Sequence, residues 1–157
     1  MSSLVIPAPR PDVEAEPIIQ NTFFWPAVDP AVMRAILRYE GTITPLRLRH
    51  AIKSAIAEVN TELWEYRKEQ IALGFATLAE VPADQIDGES LKLSEYRRAV
   101  SSITAAGLAE RYRGYDASAN GGKKADEVES RIDELWRDAR ISISNVAGKR
   151  HCIIGLL

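Results

Sequence analysis

The sequence predicts an all-α protein, a helical bundle of about four helices with an extended Pro-rich N-terminal arm and an extended C-terminal tail. Long stretches repeat apolar residues every three or four positions, the spacing of one buried helix face. Six of the eight prolines lie within the first thirty residues, where they favour extended chain. After Gly148, a helix stop signal, most residues are apolar. We therefore expect an N-terminal arm, a helical bundle domain and a C-terminal tail, over residues 1–28, 29–148 and 149–157.

The composition is that of an ordinary globular domain. The 157 residues form one domain by length, with 46% apolar and 27% charged residues. A net charge of −2 argues against a surface that generally binds nucleic acid. A single cysteine excludes an internal disulfide and any multi-cysteine metal site. No apolar run approaches the length of a membrane span, and the N-terminus lacks the pattern of a signal peptide. We expect synthesis in a cytoplasm and no contact with membranes.

The longest predicted helix spans residues 44–74, and the rest of the chain is organised around it. Thr44 can cap its free amides, Pro45 suits the first helical position, and Gly74 can end it in the left-handed conformation. No other proline or glycine interrupts it. One apolar stripe is predicted to face the core, and it comprises Leu48, Ile52, Ala55, Ile56, Val59, Leu63 and Tyr66.

The two flanks of this helix differ in chemistry. The acidic flank comprises Glu58, Glu62, Glu65 and Glu69. The other flank carries Trp64 and Ile71 beside Arg67 and Lys53. Trp64 either packs on a neighbouring helix of the same chain or contacts another protein, and both interpretations stay open. Basic residues lie near the helix start, against the preference of the helix dipole. This order favours a hypothesis in which the basic end of one subunit meets the acidic flank of the next.

Three consecutive aromatic residues, Phe23, Phe24 and Trp25, interrupt the proline-rich arm. A cluster of this size is expected to be buried against another surface. That surface is either the bundle of the same chain or a neighbouring protein. The sequence does not choose between the two.

Shorter signals define the segments on either side of the long helix. Asp29-Pro30 starts a short helix that Gly41 ends. Its predicted buried face comprises Val32, Met33, Ile36 and Leu37. In the connector 74–90, the apolar residues expected to hold it to the bundle are Phe75, Leu78 and Val81. The acidic residues of this connector do not match the spacing of a calcium loop, so we interpret them as a solvated turn; they are Asp84, Asp87 and Glu89.

Two further helices are predicted, over 91–112 and 125–147, with a flexible loop between them. The buried face of the first comprises Leu93, Tyr96, Ala99, Val100 and Ile103. Gly107 continues this face, where a close approach of helices would need a small residue. The apolar stripe of the second comprises Val128, Ile132, Leu135, Trp136, Ala139, Ile143 and Val146. Gly148 ends it.

No residues assemble a catalytic, cofactor or metal site in the sequence. His50 and His151 lie on separate elements, and Cys152 lies near the chain end. No nucleophile elbow, glycine-rich phosphate loop or zinc-ligand spacing occurs. We therefore expect neither enzyme activity nor a cofactor.

The C-terminal tail carries several large apolar residues and no charged side chain beyond Arg150. An extended segment of this kind can pair with a sheet or fill a groove of another protein. We interpret the tail as a docking segment, and its predicted contact residues are Lys149, Arg150, Ile153, Ile154, Leu156 and Leu157.

Several strings of charged and aromatic residues resemble one known family. They are NTFFWP at 21–26, AIKSAIAEVN at 51–60, VPADQIDGES at 81–90, ERYRGYDA at 110–117, IDELWRD at 132–138 and GKRHCI at 148–153. In this order and spacing they resemble the head completion proteins of contractile-tailed phages, the GPL family. The likeness runs from about Ile18 to the C-terminus.

This resemblance implies a virion structural protein rather than an enzyme. Such proteins act late, after terminase has packaged the DNA, and look like the helical adaptors that form rings beneath the portal. The implied partners are the portal protein, neighbouring copies in a ring of about twelve, and the next neck or tail-completion protein. The ring would enclose DNA without specific binding. The alternative is a soluble packaging-linked factor that assists terminase release and leaves no neck ring.

Two surface assignments follow from that expectation. The C-terminal tail would dock on the portal protein. The acidic flank, together with Trp64, would face either the lumen of the ring or a neighbouring subunit. The contacts between subunits would be modest and polar, so that the isolated protein is a monomer or weak oligomer and the portal templates the ring.

Overall fold

The computed structural model of the protein describes residues 16–38, 43–116 and 123–149. Helices dominate this part of the chain, so the predicted all-α class is confirmed. The helices are α1 (Pro30–Leu37), α2 (Pro45–Glu62), α3 (Trp64–Ala72), α4 (Leu91–Asp116) and α5 (Lys123–Val146). A single 3-10 turn covers Leu78–Glu80, and two short antiparallel strands, β1 (Gln85–Ile86) and β2 (Glu89–Ser90), precede α4.

Helix α4 lies at the centre of the bundle, between α2 and α5. It runs antiparallel to α2, because Tyr112 lies near Arg47 at the start of α2 while Tyr96 lies near Asn60 at its end. Its predicted buried face is confirmed, with Tyr96, Ala99 and Val100 fully buried. None of the helices described here is long and apolar enough to cross a membrane.

The apolar stripes predicted for α2 and α5 are confirmed as core. The residues of α2 that lie in the core are Leu48, Ile52, Ala55, Ile56 and Val59, followed by Leu63. The buried apolar residues of α5 are Ile132, Ala139, Ile143 and Val146, whereas Val128, Leu135 and Trp136 of the predicted stripe are half-buried. Helical periodicity therefore located the main core contacts of both helices.

The described part of the N-terminal arm, residues 16–28, folds back on the helices as an antiparallel loop. Ile19 and Val28 exchange both backbone hydrogen bonds, with N···O distances of 2.8 and 3.0 Å. Phe24 and Trp25 are buried in the core of their own chain, whereas Phe23 is 69% exposed. The sequence left two possible surfaces for the aromatic cluster. Phe24 and Trp25 pack on the bundle of the same chain, whereas the Phe23 ring is exposed.

A closed triangle of side-chain hydrogen bonds ties this loop to two helices. The amide nitrogen of Asn21 donates to the Tyr96 hydroxyl at 2.8 Å, and that hydroxyl donates to the Asn60 carbonyl oxygen at 2.6 Å. The Asn60 amide nitrogen donates to the Asn21 side-chain oxygen at 2.9 Å, which closes the triangle. Trp25 stacks on the Tyr96 ring with centroids 4.9 Å apart. The triangle therefore joins the loop, α2 and α4 at one partly buried point.

The long helix predicted over 44–74 was expected to be continuous, and this prediction is wrong. It bends at Leu63 (φ −94°, ψ 13°), which separates α2 from α3. Backbone hydrogen bonds continue across the bend, from the Leu63 N–H to Val59 and from the Arg67 N–H to Leu63. Neither proline nor glycine is present, but the Thr61 hydroxyl donates to the Ala57 carbonyl at 2.8 Å, a contact that often bends helices.

Two predictions of buried positions in other helices are also wrong. Val32 and Ile36 in α1 are 54% and 61% exposed, because this two-turn helix packs through Pro30 and Met33, with Leu37 partly buried against the core. Its cap is as predicted: the Asp29 carboxylate accepts from the Ala31 N–H at 2.8 Å. Helix α1 ends at Leu37, before Gly41, which lies outside the described residues. Gly107 faces open space, so no close helix approach requires it.

The connector between α3 and α4 is held to the core as predicted. Leu78 and Val81 are buried and Phe75 is half-buried. The Leu78 N–H also donates to the Phe24 carbonyl at 2.9 Å, so the connector contacts the N-terminal loop. Strands β1 and β2 are joined by Asp87 and Gly88, both at positive φ, which is the backbone that a two-residue hairpin turn requires.

Helix α5 ends in a glycine-terminated Schellman motif. Gly148 has φ 68°, its N–H donates to Asn145, and the Lys149 N–H donates to Ser144 at 3.0 Å. The left-handed conformation of Gly148 turns the chain out of the helix axis, and Lys149 is exposed. The predicted helix stop is therefore confirmed.

Lys92 fixes the end of α5 against the rest of the bundle. Its ammonium group donates to the Val146 carbonyl at 2.6 Å, at the negative end of the α5 dipole. The same group lies 5.2 Å from the centroid of the Tyr66 ring in α3. Burial lowers the pKa of Lys92. Lys92 therefore links α3, α4 and the point where the C-terminal tail begins.

The hydrogen-bond triangle predicts the effect of removing one hydroxyl. Tyr96→Phe leaves the Asn21 amide and the Asn60 oxygen without their partner, which should lower the free energy of unfolding by about 1–3 kcal/mol. Tyr112→Phe is the matched control, because that hydroxyl has only a 3.5 Å contact with Arg47, and it should change stability by about 0.5 kcal/mol or less. Urea unfolding measures both, and equal losses would contradict the role of the triangle.

Removal of the Tyr66 hydroxyl is expected to have a different effect from removal of the Tyr96 hydroxyl. Its hydroxyl is buried without a hydrogen-bond partner among the described residues, and burial raises its pKa from 10.0 to about 12. The folded state holds this proton more tightly than the unfolded state does. Its contribution to the free energy of unfolding is therefore fully present below pH 10 and is lost as the pH rises through about 12.

We therefore expect Tyr66→Phe to unfold like the wild type at pH 7 and to lose less stability than the wild type between pH 10 and 12. Urea unfolding across this pH range measures the difference. A loss at pH 7 as large as that of Tyr96→Phe would show that the Tyr66 hydroxyl is bonded after all.

Candidate interaction surfaces

The acidic flank forms one exposed face of α2 and α3. All four carboxylates, Glu58, Glu62, Glu65 and Glu69, are exposed, and Glu65 forms an ion pair with Lys68 at 2.9 Å. The pKa of Glu58 is raised, first by partial burial and then by the negative charges of Glu62 and Glu110. This face therefore carries an excess of negative charge.

Arg67 lies between two exposed aromatic rings on another face. Its guanidinium carbon is 4.4 Å from the Trp64 ring centroid and 5.9 Å from that of Phe23. We call Phe23, Trp64 and Arg67 the aromatic–arginine cluster. Trp64 is 49% exposed, so it is neither a core residue nor packed fully on a neighbouring helix. The cluster combines a cation with apolar surface at the tip of the N-terminal loop.

The aromatic–arginine cluster and the acidic flank face different parts of the molecule. On one side of α2–α3, Asn60 contacts Asn21 and Arg67 contacts Phe23, so this side faces the N-terminal loop. On the other side, the pKa of Glu58 is raised by partial burial and, to a smaller extent, by the charges of Glu62 and of Glu110 in α4, so this side faces α4. The same pair of helices therefore carries unlike chemistry on its two flanks.

Two grooves of about 480 Å³ each lie elsewhere on the described surface. One lies between α1 and α4, and its walls include Val32, Ile36 and Arg97. The other lies at the start of α2, and its walls include His50, Arg111 and Leu46. Arg97 forms an ion pair with Glu89, and both residues line the first groove.

Sequence reasoning found the acidic flank and Trp64 but missed two features. The contact between Arg67 and Phe23 joins residues far apart in the chain, and only the spacing of Trp64 and Arg67 signalled part of it. The groove beside α1 was missed because Val32 and Ile36 were assigned to the core.

The predicted tail residues fall at the edge of the described chain. Lys149 is exposed at the end of α5. Arg150, Ile153, Ile154, Leu156 and Leu157 lie outside the described residues. In the ranges that the structure describes, no three His, Cys, Asp or Glu side chains come together as a metal-binding group.

Comparison with known proteins shows to which family the chain belongs. No solved structure matches the chain. The "Head completion/stabilization protein" of Escherichia phage P2 is 55% identical over 152 residues, which cover 97% of this chain and 88% of that protein. The family model described as phage head completion protein (GPL) matches residues 19–157. The chain therefore belongs to the phage head completion protein (GPL) family and is a structural, virion-associated protein of head completion.

Proposed function

We propose that the protein forms a ring on the portal after DNA packaging and provides the platform to which the neck and tail attach. One observation supports this most directly: α2 and α3 carry an acidic flank on one side and the aromatic–arginine cluster on the other. A closed ring of identical subunits needs two unlike surfaces on each subunit, because every contact is heterologous.

The chemistry of these surfaces fits a ring that the portal templates. The exposed faces of α2 and α3 consist mainly of charged residues with a few large apolar ones. Contacts of this type are modest without a template. The isolated protein is therefore a monomer or weak oligomer, and the portal raises the local concentration until the ring closes.

A ring at this position must let duplex DNA pass. Lysine and arginine side chains that neutralise phosphates would hold the DNA in place. The net charge of −2 and the acidic flank suit a passage that encloses DNA without binding it. The protein is made in the host cytoplasm and stays in the neck of the virion in this scheme.

The C-terminal tail is the proposed contact with the portal. The Schellman motif at Gly148 directs the chain away from α5, and the tail beyond it carries the apolar residues Ile153, Ile154, Leu156 and Leu157. Burying them would contribute several kcal/mol at about 25 cal/mol per Å² of apolar surface. Backbone pairing with an exposed portal strand would add direction to this contact, and Lys149 and Arg150 would steer it to an acidic rim.

The copy number in purified virions tests the ring. Quantitative mass spectrometry should find the protein at about the copy number of the portal, on the order of twelve per particle for the expected cyclic symmetry. Terminase should be absent from the same particles. A soluble packaging factor would instead be lost together with terminase. Absence of this protein from purified virions would therefore contradict the ring.

A truncated chain tests the portal contact. Deletion of residues 150–157 keeps the Schellman motif, so helical content and melting temperature should stay near those of the wild type. Attachment to DNA-filled heads lacking this protein should be lost, as measured by co-sedimentation. The matched control replaces the same eight residues with Gly and Ser, and it should also fail to attach. A truncated chain that unfolds would show that the tail belongs to its own core.

A further inference from the structure

We propose that the aromatic–arginine cluster of one subunit binds the acidic flank of the next copy in the ring. The inference rests on the proposed ring function, and it specifies which two faces meet. Arg67 supplies the positive charge, and Phe23 and Trp64 supply the apolar walls around it. Glu58, Glu62, Glu65 and Glu69 supply the complementary negative surface.

The cluster has the features of an unoccupied binding surface. Phe23 and Trp64 are 69% and 49% exposed, which is costly for two large aromatic rings around one arginine. The Nε atom of Arg67 is buried without a hydrogen-bond partner, and within the described ranges no carboxylate forms an ion pair with its guanidinium. The two rings hold the guanidinium in place, so its planar donors are oriented before a partner arrives.

The acidic flank has the matching chemistry. Of its four carboxylates, Glu65 alone has an ion pair in the described chain, with Lys68. Partial burial raises the pKa of Glu58, and repulsion from Glu62 in the same flank and from Glu110 of α4 raises it further. An arriving guanidinium would relieve this repulsion, and a bidentate arginine–carboxylate pair is stronger than an ordinary exposed ion pair.

The positions of the two surfaces select a second copy as the partner. They lie on the same two helices, one beside the N-terminal loop and the other towards α4. A rotation that places copies side by side therefore brings the cluster of one against the acidic flank of the next. Glu65 already pairs with Lys68, and of the other three carboxylates Glu62 and Glu69 lie nearest to the position of Arg67 along the helices, which makes them the expected partners. Each subunit uses both surfaces once, and the ring leaves neither unmatched.

A charge reversal on DNA-filled heads tests the contact. Arg67→Glu places like charges together, so the copies retained per head should fall about tenfold or more. The variant Arg67→Glu, Glu62→Arg, Glu69→Arg reverses both faces of every contact and should restore most of the binding. Arg131→Glu, an equal charge change on the exposed side of α5, is the matched control and should bind normally. Wild-type retention by Arg67→Glu, or no rescue by the reversed chain, would overturn the proposal.

Disulfide capture in concentrated solution tests the same contact without heads or portal. In a Cys152→Ser background, Ile71→Cys lies one turn from Arg67, and Glu69→Cys lies on the acidic flank. A chain with both cysteines should form a ladder of dimers, trimers and higher species on oxidation, whereas each single-cysteine chain should stay mainly monomeric. The two single-cysteine chains mixed together should give one dimer band.

The two experiments separate this inference from the ring function itself. A ladder that forms while the wild type fails to bind filled heads would support the subunit contact and contradict attachment to the portal. In the other case, heads retain the wild type, the chain with both cysteines gives no ladder, and Arg67→Glu binds normally. This result would contradict the subunit contact alone.

Discussion

The partly buried triangle of Asn21, Asn60 and Tyr96 is the interaction on which the arrangement of the bundle depends. Each of the three side chains both donates and accepts, so every polar side-chain atom of the triangle has a partner. The segment that contains Asn21 has no helix or long strand of its own to hold it. The triangle and the stacking of Trp25 on Tyr96 hold it to the helices, together with the buried Phe24 ring and the hydrogen bond from the Leu78 N–H to the Phe24 carbonyl. Phe23 lies at the tip of this loop, so the position of the aromatic–arginine cluster follows from the triangle.

The core of the helices was predictable because burial repeats along a helix with a fixed period. Leu48, Ile52 and Val59 of α2 show that period, and so do Ile132, Ala139 and Ile143 of α5. Helix starts were predictable for a similar reason, since Asp29 and Thr44 accept hydrogen bonds from amides two or three residues ahead. These interactions are local, and a local pattern in the sequence is sufficient to identify them.

The remaining features depend on contacts between distant residues or on small differences in energy. The bend at Leu63 breaks no backbone hydrogen bond to Val59, so no strong helix-breaking signal marks it in the sequence. Val32 and Ile36 have the spacing of a buried face, but too little of the bundle lies beside α1 to cover them. The cluster around Arg67 exists because a loop residue meets a helix more than forty positions later. Of the candidate surfaces, the sequence therefore located the acidic flank and Trp64 but not their neighbours.

The contacts of Lys92 affect how strongly a ring of subunits would bind a common partner. It binds the last carbonyl of α5 and contacts Tyr66 of α3, so the start of the tail is fixed relative to the faces of α2 and α3 that are proposed to meet in a ring. In such a ring every tail would leave the bundle at the same height and in the same direction. Once one tail is bound, its neighbours are already close to equivalent sites, and their binding becomes effectively intramolecular. Individually weak tails would then give a slowly dissociating attachment, because complete release requires many contacts to be open at the same time.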